Sequence, residues 1–296
     1  MKSSNGAKNN RLTKLESEND SFQHKKSLGQ NFLTSDVVPK WLVAAGEVMS
    51  TDTVLEIGPG TGALTRALLA TGATIVAVEA DSRAIAILEV EFAAEIERGQ
   101  LTIHHLDART LDVAGLELQS QSFKVVANIP YYLSGFLLRT LLETAVQPTT
   151  LVFLMQKEVV SRIARAKKES ILSLSVKAFG TPKYIKTVTR GHFNPAPNVD
   201  SAILQITDIN LKNFKNSTDL TLFFKLLHLG FGKKRKQLLG NLAEVYPREQ
   251  LVELFTTTGI SLTTRAEDVS LPIWLKLVSA LNNHHDIHKV SPAVHN

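Results

Sequence analysis

The chain has 296 residues, 44% of them apolar, enough for one large domain or two ordinary ones around a real core. No apolar run reaches the ~18 residues of a membrane helix, and the lack of cysteine excludes disulfides and cysteine-ligated zinc. Lysine and arginine exceed aspartate and glutamate by 33 to 28, a modest excess that suits a polyanionic partner or an ordinary soluble basic protein equally well.

Met1 to Asp20 is polar, mixed in charge and without the apolar core of a secretory signal. It reads as disordered, and with the absent cysteine it fits a cytoplasmic protein. From Thr53 to Gln156 short apolar runs alternate with helical ones. Thr53 to Ile57 reads as a buried strand, and Ala63 to Ala70 as a helix capped by Thr61. Thr74 to Glu79 is a β-branched second strand. Arg83 to Arg98 spaces Ile85, Leu88 and Phe92 as one helix, ended by Gly99. Leu101 to His105, Phe123 to Ala127 and Leu151 to Met155 are further strands. Strands alternating with helices predict an α/β fold with a mostly parallel sheet.

After Gly180 the pattern changes. Tyr184 to Arg190 and Ser201 to Ile206 read as two strands joined by a proline-bearing loop, adding antiparallel strands at one sheet edge. Ile209 to Thr218 reads as a polar linker. Leu220 to Leu281 reads as helix broken at Pro247 and Gly259. The nine histidines offer no metal site: four of them (His284, His285, His288, His295) fall in a tail with little that can pack.

Two segments carry chemistry. Glu56 to Gly62 (EIGPGTG) follows a strand and opens a helix, where glycines permit a sharp turn and close ligand approach. Glu79 ends the next strand, 21 residues after Gly58, where a carboxylate can accept ribose hydroxyls. Gly58-x-Gly60-x-x-Ala63 also satisfies the loose dinucleotide fingerprint, so a nicotinamide cofactor remains a rival at this point. Asp107 follows the third strand, where it can accept a cofactor's adenine amine or simply cap a turn.

The second segment is Asn128-Ile129-Pro130-Tyr131, directly after a strand. An exocyclic adenine amine is a poor nucleophile, because its lone pair is delocalised into the ring. The Asn128 oxygen and a main-chain carbonyl near Ile129 or Pro130 can bind its N–H groups and free that lone pair. Tyr131 can stack on the base. The rate gain then comes from positioning and charge placement, with no strong base required. A hydride-transferring enzyme has no use for this tetrapeptide. Its plain alternative is a strand ending in a proline turn with a packed tyrosine.

Six segments occur in order: Gln30 to Leu33, Glu56 to Gly62, Asn128 to Tyr131, Gln156 to Val159, Phe193 to Ser201, and Arg265 to Glu267. Together they resemble the ribosomal RNA adenine dimethyltransferases, in particular the branch acting on the small subunit. The resemblance runs from about Lys25 to Leu281. It implies a Rossmann-like class I methyltransferase domain with a small all-helical C-terminal domain. It implies S-adenosyl-L-methionine as cofactor and transfer of two methyl groups to each of two adjacent adenosines in a hairpin near the 3′ end of small-subunit (16S) rRNA. The partner is that rRNA or the immature small subunit, with a role in small-subunit biogenesis, and the expected protein is a cytoplasmic monomer with no membrane association.

Carried over by position, Gln30, Asn31, Leu33, Gly58, Gly60, Glu79, Asp107 and Asn128 contact the cofactor. Asn128, Pro130, Tyr131 and Phe193 form the catalytic set, with Phe193 facing the target base opposite Tyr131. Lys233, Lys234, Arg235 and Lys236 match a basic segment that binds RNA phosphates, and Lys157, Arg162, Arg165, Lys167 and Lys168 extend that surface. No metal is implied. The expected division is a disordered extension over residues 1–22, the catalytic domain over 23–208, the helical RNA-binding domain over 209–283 and a flexible tail over 284–296. Leu106 stands where the family usually has glycine, and the loop at Ala166 to Ser170 is shorter than usual. Two rivals remain: the related large-subunit methyltransferases of macrolide resistance, and a non-catalytic ribosome-assembly factor.

Overall fold

The computed structural model describes residues 32–233 and 235–289. The residues read from sequence as a disordered extension, together with Gln30, Asn31, Lys234 and residues 290–296, lie outside the described residues.

A seven-stranded sheet organises the chain. Its strands are β2 (Thr53–Ile57), β3 (Thr74–Glu79), β4 (Leu101–His105), β5 (Phe123–Asn128), β6 (Thr150–Gln156), β7 (Thr181–Val188) and β9 (Ser201–Thr207). Their order is β4-β3-β2-β5-β6-β9-β7. The first five are parallel, and β9 runs antiparallel to both β6 and β7. A separate two-stranded pair joins β1 (Phe32–Leu33) to β8 (Phe193–Asn194), antiparallel.

The central strands are buried on both faces, which is why they read as continuous apolar runs. Along β6, Leu151, Phe153 and Met155 face one apolar cluster while Val152 and Leu154 face the other. That alternation is the two-residue period of an extended strand. One face is covered by α1 (Val37–Ala45), α2 (Ala63–Leu69) and α3 (Ser82–Glu91), through Leu42, Leu68 and Leu88. The other is covered by α5 (Ser134–Leu142), α6 (Lys157–Ala164) and α7 (Ile171–Phe179), through Leu138, Ile163 and Leu174.

Three local expectations are corrected. The single helix expected from Arg83 to Arg98 is two, α3 and α4 (Ala93–Glu97), broken at Phe92, which leaves the helical region and buries its ring. Gly99 then turns at positive φ, as expected of a helix stop. The cap of α2 is not Thr61: Gly62 occupies that position in a left-handed conformation without a side-chain bond. The stretch from Ile209 to Thr218 is not a loose linker, since Ile209 and Phe214 are buried and Phe214 packs 5.6 Å from Phe179.

Beyond it lie α8 (Ser217–Phe231), α9 (Leu238–Leu242), α10 (Arg248–Thr258) and α11 (Leu271–Lys289). Asn216 caps α8 through the Asp219 amide, and Pro247 and Gly259 bracket α10. The wholly buried Trp274 ties these helices together, stacking on Phe231 with ring centroids 6.1 Å apart. The apolar cluster around it is continuous with the one over α7, so the helical region grows out of the sheet's own core. The last helix continues through Lys289, past the Asn283 boundary read from sequence.

Candidate active site

Parallel strands leave their carboxyl ends on one edge of the sheet. Between β2 and β5 the chain changes winding direction, which opens a crevice there. The crevice encloses about 1070 Å³ of space open to solvent. Leu33, Gly58, Gly60, Glu79, Asp107, Asn128, Pro130, Tyr131 and Phe193 all line it. Every described residue of the sequence-derived cofactor and catalytic sets therefore faces one cavity.

The glycine turn forms one wall. Gly58 follows β2 at φ +71°, its amide bonded to the Val78 carbonyl at 2.9 Å. A Cβ at Gly58 meets no atom within 4 Å, so that backbone faces open space. Gly60, at φ +57°, lies under the Phe32 ring, which a Cβ would approach to 2.8 Å. The positive φ and the close ring both require glycine there.

Glu79 has a task that sequence reasoning missed. Its Oε2 accepts the Gly60 amide at 3.0 Å, and its Oε1 accepts the Ala80 and Asp81 amides at 2.8 and 2.9 Å. The carboxylate thus organises the turn it faces while keeping one of its roughly four lone-pair sites, on Oε2, for a ligand. The in-register pairing of Ile57 with Val78 is what brings the two strand ends together.

Asp107 both lines the cavity and caps a turn. It accepts the Arg109 amide at 2.8 Å and pairs with the Arg109 guanidinium at 2.5 Å. The guanidinium holds this carboxyl below its ordinary range. Glu56, named in sequence only as part of the glycine motif, is almost wholly buried on the cavity floor. Its Oε2 accepts the Thr65 hydroxyl at 2.8 Å, and its Oε1 has no hydrogen-bond partner among the described residues. Burial pushes its carboxyl up to about 8, against the Thr65 bond and helped by the charge of Glu79.

The opposite wall is the turn after β5. Asn128 is half-buried at the strand end, and Ile129 anchors the turn in the core. Pro130 leads into a short 3-10 turn in which its carbonyl accepts the Leu133 amide at 3.0 Å. Of the two carbonyls considered from sequence, Pro130's is therefore already engaged. The Tyr131 hydroxyl lies 2.7 Å from the Ser201 hydroxyl, and burial raises the phenol above its ordinary value. Phe193 is 5% exposed and held by the β1–β8 pair, opposite Leu33 in register.

The basic segment lies apart from the cavity. Lys233, Arg235 and Lys236 are exposed. Glu244 pairs with Lys233 at 2.6 Å and with Lys236 at 3.1 Å, a neutralising partner that the charge run did not disclose. Lys168 pairs with Glu267, and the Glu169 amide donates to the Glu267 carbonyl at 2.7 Å. The short loop thus docks on the Arg265 to Glu267 stretch.

This sheet order and crevice are those of the class I methyltransferases, whose fold implies use of S-adenosylmethionine. Residues 21–283 match the family described as "Ribosomal RNA adenine dimethylase", and the chain belongs to that family. It is 36% identical over 265 residues to "Ribosomal RNA small subunit methyltransferase A" of Dehalococcoides mccartyi (strain CBDB1), covering 88% of this chain and 89% of the relative. It is 35% identical over 277 residues to the protein of that name in Bacillus cereus (strain AH187), covering 89% and 93%. Among solved structures, a dimethyladenosine transferase from Plasmodium falciparum superposes with TM-score 0.73 at 24% identity, over 86% of this chain and 98% of that one. The 23S rRNA methyltransferase ErmE superposes with TM-score 0.68 at 22% identity, over 85% and 100%. These two likenesses establish the fold.

Proposed function

We propose that this enzyme transfers methyl groups from S-adenosylmethionine to the exocyclic amines of two adjacent adenosines in the 3′-terminal hairpin of small-subunit rRNA. The observation that carries the reading is one cavity walled by both the glycine turn and the Asn128 to Tyr131 turn. Bound S-adenosylmethionine supplies an electrophilic methyl on a sulfonium. The cavity suits it: the Gly58 backbone faces free space, Glu79 keeps an acceptor site for a ribose hydroxyl, and Asp107 lines the same cavity as the acceptor for the adenine amine. Leu33 closes the cavity from the N-terminal side, and by resemblance Gln30 and Asn31 contact the cofactor.

Asn128 and a neighbouring main-chain carbonyl accept the two N–H groups of the target amine. That pulls its nitrogen toward a tetrahedral shape and frees the lone pair for attack. Pro130 fixes the turn, and Tyr131 and Phe193 hold the base between them. The target adenosine enters from an unpaired loop or by flipping, since pairing and stacking in a duplex would keep its exocyclic amine out of reach. The proton is lost to water after transfer.

Residues 23–208 act as the catalytic unit and residues 209–283 as the RNA-binding unit, where Lys233, Lys234, Arg235 and Lys236 meet phosphates. The relatives at 35–36% identity are named for the small subunit, which favours that substrate over the large-subunit alternative. A cytoplasmic site and a monomer belong to the same proposal; among the described residues no helix is long and apolar enough to cross a membrane. The test is nucleoside mass spectrometry of small-subunit rRNA from cells with and without the gene. Dimethyladenosine disappears from that rRNA when the gene is deleted; its persistence unchanged would overturn the assignment.

A further inference from the structure

The Val199-Asp200-Ser201 stretch takes no part in the mechanism above. Yet the side chain of Ser201 reaches the catalytic turn. Ser201 opens β9 and is wholly buried. Its backbone is fixed on both sides, opposite Gln156 of β6 and Val188 of β7. The preceding residue is pinned as well: the Asp200 carbonyl accepts the Lys157 amide at 3.0 Å, and its carboxylate accepts the Arg190 amide at 3.3 Å. From this anchored point the Ser201 hydroxyl bonds the Tyr131 hydroxyl at 2.7 Å, across 70 residues of chain.

Tyr131 is tethered at its other end too. The Ser134 hydroxyl donates to the Tyr131 carbonyl at 2.8 Å, and the Leu133 amide closes the same turn on Pro130. A tyrosine has two side-chain torsions. With the backbone and the phenol oxygen both held, χ1 and the direction of the ring's long axis are fixed; the oxygen lies on the axis of χ2, so the bond biases the ring plane only through the in-plane preference of the phenolic O–H. A phenylalanine in this place would lack the second tether. Burial keeps the phenol neutral, so it stays competent for a neutral hydrogen bond across the working pH range.

We infer that Ser201 is a positioning residue for methyl transfer, holding the long axis of the Tyr131 ring in the place where the target base stacks. The inference rests on the reading that Tyr131 stacks on that base. Ser201 itself touches neither base nor cofactor and acts through the phenol alone.

A double-mutant cycle tests it, using the full chain, immature small subunits and S-adenosylmethionine. Ser201→Ala and Tyr131→Phe each remove the same bond. Each lowers kcat about threefold to tenfold, the worth of one hydrogen bond, while cofactor affinity measured by calorimetry stays at the wild-type value. The double variant is no slower than either single one, and Ser201→Thr, which keeps the hydroxyl, restores kcat. Additive losses, or a Ser201→Ala defect that tracks a lower melting temperature and is shared by Ser201→Thr, would overturn the proposal. If Ser201→Ala does not fold, Tyr131→Phe reads the bond from the other side, and wild-type kcat in that variant overturns the proposal equally. Tyr131→Ala separates the two claims: should it transfer methyl groups normally, the stacking reading itself fails, whatever Ser201 does.

Discussion

The Glu79 carboxylate accepts the Gly60 amide at 3.0 Å, joining the end of one strand to the turn after its neighbour across 19 residues. One side chain therefore shapes the glycine turn and faces the cavity beside it. Glu79→Gln keeps the size but loses the charge and half of the acceptors that serve three amides. The expected outcome is at least tenfold weaker S-adenosylmethionine binding by calorimetry, with a stability loss of about 1–3 kcal/mol by denaturant unfolding.

Gly60 is strained for any other residue. Gly60→Ala places a methyl in the left-handed region and against the Phe32 ring. The backbone term alone costs about 1–2 kcal/mol, and displacing Phe32 loosens the β1–β8 pair. A lower melting temperature together with weaker cofactor binding is expected. Gly58→Ala bears the backbone cost without the clash, and its added methyl projects into the cavity, so its effect falls mainly on binding.

Glu56 gives the protein a pH dependence with a definite sign. Folded Glu56 holds its proton up to about 8, while the unfolded chain releases it near 4.5. The folded state therefore binds more protons between these values. Its stabilising linkage is complete below about 4.5, declines as pH rises, and is gone above about 8, with a limiting slope of about 1.4 kcal/mol per pH unit. Glu56→Gln should flatten the decline of stability between pH 5 and 8 in chemical denaturation series. An unaltered slope would show that this carboxyl is ionised in the fold.

The basic segment should behave as an electrostatic contact opposed by its own neighbour. Lys234→Ala with Arg235→Ala weakens RNA binding and reduces the salt slope by roughly 0.7–0.9 per charge removed. Glu244→Gln releases Lys233 and Lys236 from their shared carboxylate and should strengthen binding at low salt. Filter binding across a salt series checks both. Equal affinity at every salt concentration would remove the segment from the RNA interface.

The central strands of this fold, β2, β5 and β6, are plain in the sequence because they are short, apolar and buried on both faces, so length and composition separate them from helix. The residues that line the cavity are nearly as plain, because Gly58, Glu79, Asp107 and Asn128 all stand at or just past strand ends, and parallel strands bring such ends together. What stayed hidden depends on contacts between distant segments. A two-residue strand such as Phe32–Leu33 has no period to read, yet it pairs with Phe193–Asn194 and roofs Gly60. The break at Phe92 arises from ring packing against Leu88 and Gly62, not from a helix-breaking residue. The polar look of Ile209 to Thr218 concealed Phe214, whose partners Phe179 and Phe223 lie on two different helices. The ion pairs of Glu244 require knowing how α9 and its following turn fold back on the Lys233 loop.

The central claim is that Asn128 activates an adenine amine for attack on a sulfonium methyl. Its most direct test is methyl transfer from labelled S-adenosylmethionine to immature small subunits by purified wild-type and Asn128→Ala enzyme, with cofactor and RNA binding measured in parallel. The account predicts dimethyladenosine with the wild type, transfer reduced by at least a hundredfold in the variant, and RNA binding retained in both. Wild-type turnover by Asn128→Ala would contradict it.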